Sequence, residues 1–214
     1  MDQDIEIINT NTRIEKVKNF LLSYKKHLIA ILLLILLGLF SFFYYQDYKS
    51  DKKKELAYKY NLAQTNFKSD KKENTKNILI EIINSEDSTY SPLAFYFLLD
   101  NDLISSKQEI NNYFDKIIND VDLDKEIKNL IIFKKGLFNS DFANENDLLN
   151  ILNPVIKSES IWKSHALYLM GEYYISKNQK QKSKEFFEKI INLENVNSKI
   201  KIKAQNRIRS DISE

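Results

Sequence analysis

Glycine and proline are so scarce in this chain that few fold classes remain open to it. Only three glycines and two prolines occur among its 214 residues. Antiparallel sandwiches and barrels need many tight turns, and these two residues build most of them, so an all-β fold is disfavoured. Nucleotide-binding loops need clustered glycines where the backbone approaches phosphate, and the chain has no such cluster. The sequence therefore predicts an all-α protein.

Cysteine and histidine, which bind transition metals and take part in nucleophilic catalysis, are equally rare. The chain has no cysteine, and its two histidines, His27 and His165, lie far apart. A disulfide framework and a thiolate zinc site are therefore excluded, and a histidine metal cage is disfavoured. The run Asp120, Asp122 and Asp124 has the alternate spacing of a calcium loop but lacks its central glycine. We expect no catalytic residue, no metal and no cofactor; an enzyme of unknown type is the least supported alternative.

An uncharged apolar segment lies near the N-terminus. Residues 28–45 read LIAILLLILLGLFSFFYY, and His27 and Gln46 extend the uncharged stretch to 27–46. A helix of about 20 residues crosses the hydrocarbon core of a bilayer, and the aromatic residues at the far end of the segment are typical of a membrane interface. Acidic residues precede the segment and no small-residue cleavage site follows it. We expect a retained single-span anchor rather than a cleaved signal peptide.

The orientation of the anchor is barely constrained by charge. Five basic residues occur in 13–26 and five in 49–59, whereas the positive-inside rule needs an imbalance. Lys25 and Lys26 lie closest to the apolar boundary, which favours a cytoplasmic N-terminus. We therefore divide the chain into a cytoplasmic tail (1–26), a transmembrane helix (27–46) and a helical-repeat domain (47–214).

Beyond the anchor, apolar residues recur at spacings of three and four, the period of amphipathic helices. The predicted helix pairs begin near Ser91, Leu123, Ile161 and Asn197. These starts are about 32 to 38 residues apart, which is typical of a solenoid of helical hairpins. The sequence thus predicts one transmembrane helix followed by such a solenoid.

Two details of these helices are also predicted. Ser91 and Pro92 are expected to be the N-cap and the first residue of one helix, since serine accepts a backbone hydrogen bond there and proline loses none. The final helix should turn one polar face to solvent, because a terminal repeat needs a polar outer surface. The residues on that face are Lys199, Lys203, Arg207 and Asp211.

The last hairpin carries the pattern of a tetratricopeptide repeat. Its first helix has large, large, small and aromatic residues at Leu167, Met170, Gly171 and Tyr174, and its second helix has the matching Ser183, Phe187 and Ile190. The small residues let the two backbones approach, and the aromatic rings fill the space around them. The first pair fits more loosely, through Leu62, Ala63, Thr75, Leu79 and Ile82. The closing proline of the repeat is absent throughout.

With the anchor, this layout resembles the tetratricopeptide-like ancillary subunits of the SecYEG translocon, whose most recognisable stretch is similar to residues 160–190. The resemblance implies a scaffold of the bacterial inner membrane with its repeats in the periplasm. Its partners would be translocon subunits, periplasmic chaperones or client proteins, and neither nucleic acid nor a small-molecule substrate. Cell-division coordinator proteins have a related repeat domain. An envelope protein that self-associates or binds cell-wall machinery therefore remains an alternative.

The inner groove of such repeats is the expected binding surface. Tetratricopeptide repeats present alternate first-helix positions to this groove. Counted from Gly171, these positions are His165, Tyr168, Glu172 and Ile175; counted from Ala63, they are Tyr60, Gln64 and Phe67. Neighbouring aromatic and polar side chains suit protein recognition. The competing interpretation is that Tyr60, Phe67 and Ile175 only pack against adjacent helices.

Overall fold

The computed structural model describes residues 15–194 and 196–212, and all regular structure within them is helical. The elements are α1 (15–23), α2 (Lys25–Lys68), α3 (Lys72–Asn84), α4 (Tyr90–Asp100), α5 (Lys107–Asp120), α6 (Lys125–Asn139), α7 (Glu145–Ile156), α8 (Lys163–Ser176), α9 (Lys180–Ile191) and α10 (Ser198–Arg207), followed by a π-helical turn (Ile208–Ile212). The predicted all-α class is confirmed. Residues 1–14 of the predicted cytoplasmic tail lie outside the described part of the chain.

Two compact units divide the chain, Met1–Glu55 and Leu56–Glu214. In the first unit, the apolar segment forms part of α2, and none of its 18-residue apolar core is buried. By length and composition this helix is able to cross a bilayer. The helix runs on past the apolar segment to Lys68, and residues 46–67 contain no glycine or proline that would interrupt it.

In the second unit, helical hairpins follow one another along the chain. First helices begin at Tyr90, Lys125, Lys163 and Ser198, each within two residues of its predicted start. The buried apolar side chains form two clusters. One is built from α2 to α6 and the other from α6 to α10. The two clusters meet in α6, where Ile131 belongs to the first and Ile132 to the second.

Small residues set the closest helix approach in the first and last hairpins. A Cβ atom placed on Gly171 would lie 2.5 Å from Cε1 of Phe187, and the buried Ser183 hydroxyl donates a hydrogen bond of 2.9 Å to the Gly171 carbonyl. In the first hairpin, the buried Thr75 hydroxyl donates to the Ala63 carbonyl over 3.3 Å. Both pairs are separated by twelve residues, so the two hairpins share one packing register.

The expected cap of α4 is wrong. The helix begins at Tyr90, and Ser91 lies inside it, buried, with its hydroxyl donating to the Ile82 carbonyl at 3.0 Å. Asp87 takes the expected role instead, because its Oδ1 accepts the backbone N–H groups of Thr89 and Tyr90 at 2.9 and 2.8 Å. A carboxylate caps a helix as well as a hydroxyl does, and the Ser91 hydroxyl is needed to contact α3.

The expected solvent face of the final helix is only partly correct. Lys199 and Lys203 are exposed, but Arg207 binds Glu172 of α8 through two parallel hydrogen bonds, Nε to Oε1 and Nη2 to Oε2, both 2.7 Å. The side chain of Asp211 lies outside the described residues. Arg207 follows Glu172 by 35 residues, about one repeat, so stacking of α10 beside α8 brings the two together.

Candidate functional site

The predicted groove residues of the first hairpin pack against the following helix. The ring centroid of Tyr60 lies 6.1 Å from those of Tyr90 and Phe97, and Phe67 lies 5.4 Å from Phe97. Burial raises the pKa of Tyr60, and its hydrogen bond to Gln64 opposes that rise. Tyr60 and Phe67 therefore join α2 to α4 and match the competing packing interpretation, whereas Gln64 interacts with Tyr60 within α2.

The predicted groove residues of α8 divide into two groups. Tyr168 packs on Phe187, with ring centroids 5.3 Å apart, and Glu172 is bound by Arg207. Ile175 is half-buried against the second apolar cluster. Burial is the main cause of the raised pKa of Tyr168. The C-terminal helix thus meets Glu172, whereas His165 at the start of α8 has different neighbours.

His165 belongs to an aromatic cluster between α6 and α8. The rings of Phe133 and Trp162 stack with centroids 5.9 Å apart and an angle of 17° between their planes. The imidazole of His165 lies 5.2 Å from Trp162 and 5.8 Å from Phe133. Such stacks hold their rings in fixed positions and contribute about 1 kcal/mol per pair beyond the area they bury. The start of α8 is therefore a rigid apolar platform.

Two adjoining pockets open at this platform. One, of about 530 Å³, is lined by Ile161, Trp162, His165 and Asn197. The other, of about 500 Å³, includes Ile161 and Ser164 together with Leu193 and Glu194 beyond α9. Ile161 belongs to both pockets and is 70% exposed. The apolar side chain of Ile161 thus lies between two concave surfaces, and a partner protein can contact it from both of them.

The loop that carries Ile161 is held in place by one serine. The Ser160 hydroxyl donates to Oε2 of Glu126 in α6 at 2.7 Å and accepts the backbone N–H of Trp162 at 3.1 Å. The carbonyl of Ser160 also accepts the N–H of Lys163 at 3.1 Å. These three hydrogen bonds fix the chain on either side of Ile161, so the side chain is presented from a defined position.

Two buried polar atoms beside the pockets have no hydrogen-bond partner among the described residues. They are Oγ of Ser164, a residue only 4% exposed, and Nδ1 of His165. The N-cap position of α8 makes no side-chain hydrogen bond, and the first turn contains no acidic residue. An unpaired buried polar group costs about 1–3 kcal/mol. Because both atoms are buried, a partner cannot reach them without a local rearrangement of α8.

Potential metal ligands are not clustered in this region. Within the described residues, 15–194 and 196–212, no group of three or more His, Cys, Asp or Glu side chains is arranged to hold a metal ion. The calcium-like run Asp120, Asp122 and Asp124 lies within these residues. What the pockets present is apolar surface and the mixed charges of Lys163 and Glu194. This combination suits binding of a protein segment.

Sequence reasoning selected His165 but missed Ile161 and Ser164. Ile161 was considered only as the approximate start of a helix pair, because exposure cannot be read from a hydrophobic residue alone. Repeat spacing was the one signal that pointed toward the Glu172–Arg207 pair, since residues about 35 positions apart are neighbours in stacked hairpins.

No protein family, curated protein or solved structure matches the chain.

Proposed function

We propose that the protein is a membrane-anchored scaffold that binds other proteins through the two pockets at the start of α8. The fold supports this proposal, because stacked helical hairpins provide extended surfaces for binding proteins. The apolar segment within α2 supports the anchor, since it is unburied and long enough to cross a bilayer.

The exposure of Ile161 is the observation that carries the proposal. A branched apolar side chain that is 70% exposed stands on a loop fixed by hydrogen bonds, beside stacked aromatic rings. Apolar and aromatic residues that are rigid and exposed together are typical of interaction sites. Lys163 and Glu194, which line one of the pockets, add charged groups that orient an incoming peptide.

The proposed class of partner rests on the sequence resemblance. The stretch 160–190, which resembles an ancillary subunit of the Sec translocon, includes the pocket residues Ile161, Trp162 and His165. We therefore place the repeats on the periplasmic side of a bacterial inner membrane, with the N-terminus in the cytoplasm. Translocon subunits, periplasmic chaperones or emerging client segments would occupy the pockets.

Site-specific photocrosslinking in cells tests the partner. A photoreactive residue at Ile161 is expected to give adducts with translocon subunits or a chaperone, whereas one at Asn112, exposed on α5, should not. The Ile161→Ser variant should weaken binding of the captured partner about tenfold, the effect of losing one apolar anchor. Equal adducts at both positions would refute the site. Adducts with cell-wall enzymes, or with a second copy of the chain, would favour the envelope-coordination alternative.

Topology is tested separately. Alkaline phosphatase fused after Glu214 is expected to be active in intact cells, because the enzyme folds only outside the cytoplasm. A stable but inactive fusion would place the repeats in the cytoplasm. The periplasmic partners would then be excluded, while the α8 pockets would remain a candidate site for a cytoplasmic protein.

A further inference from the structure

The last helix differs from all the others in its charge. Among the described helices, α10 alone contains no acidic residue, and its ten residues include Lys199, Lys201, Lys203 and Arg207. Every other helix carries at least one aspartate or glutamate. The neighbouring α9, for comparison, combines its lysines with Glu185 and Glu188.

One side of α10 is buried and the other is basic. Ala204 is fully buried, and Ile200 packs against the second apolar cluster. The opposite side consists of Lys199, Ile202, Lys203 and Asn206, all exposed and lying within two turns of the helix; we call these four residues the basic face. Ile202 is 55% exposed between the two lysines.

Contacts with α8 hold the basic face in a defined orientation. The paired hydrogen bonds from Arg207 to Glu172 are both 2.7 Å long, and a bidentate pair fixes geometry as well as charge. Because Arg207 points toward α8, its charge is compensated within the fold. The exposed lysines of α10 have no acidic neighbour on their own helix, so their charge is available to an external ligand.

We propose that the basic face binds anionic phospholipid headgroups of the membrane in which α2 is anchored, an inference that rests on the proposed anchoring. An amphipathic surface with lysines around one apolar side chain suits the interface of a bilayer, where the lysines meet phosphates and the isoleucine enters the acyl boundary. Anchoring tethers the basic face to the same membrane, which raises the effective concentration of headgroups that it meets.

The acidic residues of a second copy match the basic face less well. Glu81 and Glu86 are already paired with Lys59 and Lys116 at 2.6 and 3.1 Å. Asp100 and Asp102 lie at the end of α4, and Asp120, Asp122 and Asp124 lie between the end of α5 and the start of α6. Each run therefore supplies only two or three carboxylates at one helix end. A headgroup layer, in contrast, offers phosphates continuously along the whole length of the helix.

A lipid-quenching experiment on the full chain tests this proposal. The protein has no cysteine, so Asn206→Cys introduces a single site for a fluorophore, and nitroxide-labelled lipids report its contact with the bilayer. The chain is placed in nanodiscs of phosphatidylcholine alone or of phosphatidylcholine with phosphatidylglycerol. Quenching is expected only with the anionic lipid, and it should disappear in high salt because the Debye length shrinks from about 30 Å at 0.01 M to about 3 Å at 1 M.

Matched variants separate lipid binding from general charge effects. Neutralising Lys199 and Lys203 together to Gln should lower the bound-to-unbound ratio about 25-fold, or about fivefold for each lysine. Neutralising Lys71 and Lys72 to Gln removes the same charge from an exposed turn outside α10 and should leave quenching unchanged. The fluorescence of Trp162, the one tryptophan, confirms that each variant is folded.

A second label position distinguishes failure of this inference from failure of the anchor. A fluorophore at Leu36→Cys in the apolar segment should be quenched in both nanodisc types if α2 spans the bilayer. If Leu36→Cys is quenched but Asn206→Cys behaves alike in the two lipids, the lipid proposal alone is overturned. A fluorophore at residue 206 that responds to polyglutamate peptide but not to lipid would overturn it in favour of an acidic protein partner.

Discussion

Replacement of Gly171 by alanine should destabilise the second unit through one contact. The new Cβ atom would lie 2.5 Å from Cε1 and 2.7 Å from Cζ of Phe187, whereas carbon atoms in contact are about 3.5–4.0 Å apart. The ring has to move by about 1 Å to restore that distance. Phe187 is fully buried and packs against Tyr168, so its displacement disturbs the core around it.

The expected change in the free energy of unfolding is the difference between two opposing effects. Overpacking of a well-filled core costs about 1–3 kcal/mol, and an overlap of a full ångström belongs in the upper half of that range. Replacing glycine by alanine inside a helix returns about 1 kcal/mol. We therefore expect Gly171→Ala to lower the free energy of unfolding by about 1–2 kcal/mol, which raises the unfolded fraction about 5- to 30-fold.

Chemical unfolding of the full chain, followed by Trp162 fluorescence, measures this change. Trp162 stacks on Phe133 within the second unit and therefore reports its unfolding. Gly38→Ala is the matched control, because nothing lies within 4 Å of a Cβ at that residue. Phe187→Leu removes the ring atoms that clash, so the double variant should be more stable than the sum of the two single changes predicts. Unchanged stability of Gly171→Ala, or strictly additive effects, would refute the argument.

Three further predictions concern polar contacts of the last hairpins. Ser183→Ala should cost about 1 kcal/mol, measured by the same unfolding assay, because the buried hydrogen bond that joins α9 to the Gly171 carbonyl of α8 is lost; an unchanged midpoint would contradict this. Arg207→Gln should speed hydrogen exchange in α10 while leaving α4 unaffected, since the bidentate contact with Glu172 is lost; uniform exchange rates would show that the pair does not hold the helix. Hydrogen bonds from Lys182, and to a smaller extent from Tyr174, lower the pKa of Glu145 below its usual 4.5. The ionised carboxylate therefore stabilises the fold above pH 4.5, and this contribution is lost as the pH falls through the lower pKa of the folded state. When the pH is lowered below 5, the free energy of unfolding should therefore fall less for Glu145→Gln than for the wild type. Unfolding measurements at a series of acidic pH values test this, and identical profiles would exclude a role for this carboxylate.

Local patterns in the sequence were sufficient to predict most of the helices. The unbroken apolar segment and the spacing of apolar residues predicted a helix over 27–46 and the starts of four later helices; that the first of these helices continues to Lys68 is seen only in the structure. The same patterns gave a wrong cap at Ser91, because serine and aspartate both accept backbone hydrogen bonds and the sequence does not show which of them is also needed to contact another helix. Asp87 caps α4, and the Ser91 hydroxyl contacts the Ile82 carbonyl of α3.

The candidate site was less predictable than the fold. His165 was selected from its repeat position, and the structure places it beside the α8 pockets. Tyr60 and Phe67 were selected by the same rule, but their rings pack against α4. Equivalent repeat positions differ in this way because the first hairpin is followed at once by large aromatic residues, Tyr90 and Phe97, which occupy the space beside it.

Composition and periodicity by themselves determined that this chain is helical, that it has an apolar segment long enough to span a membrane, and that its helices form hairpins about 35 residues apart. These properties depend on neighbours within a few turns of the same helix. Tertiary structure alone decided that Ile161 is exposed, that Ser164 and His165 have unpaired atoms, and that Arg207 binds Glu172 while the basic face of α10 remains open. Those outcomes depend on which side chains of adjacent hairpins meet, and that is set by packing between helices distant in sequence.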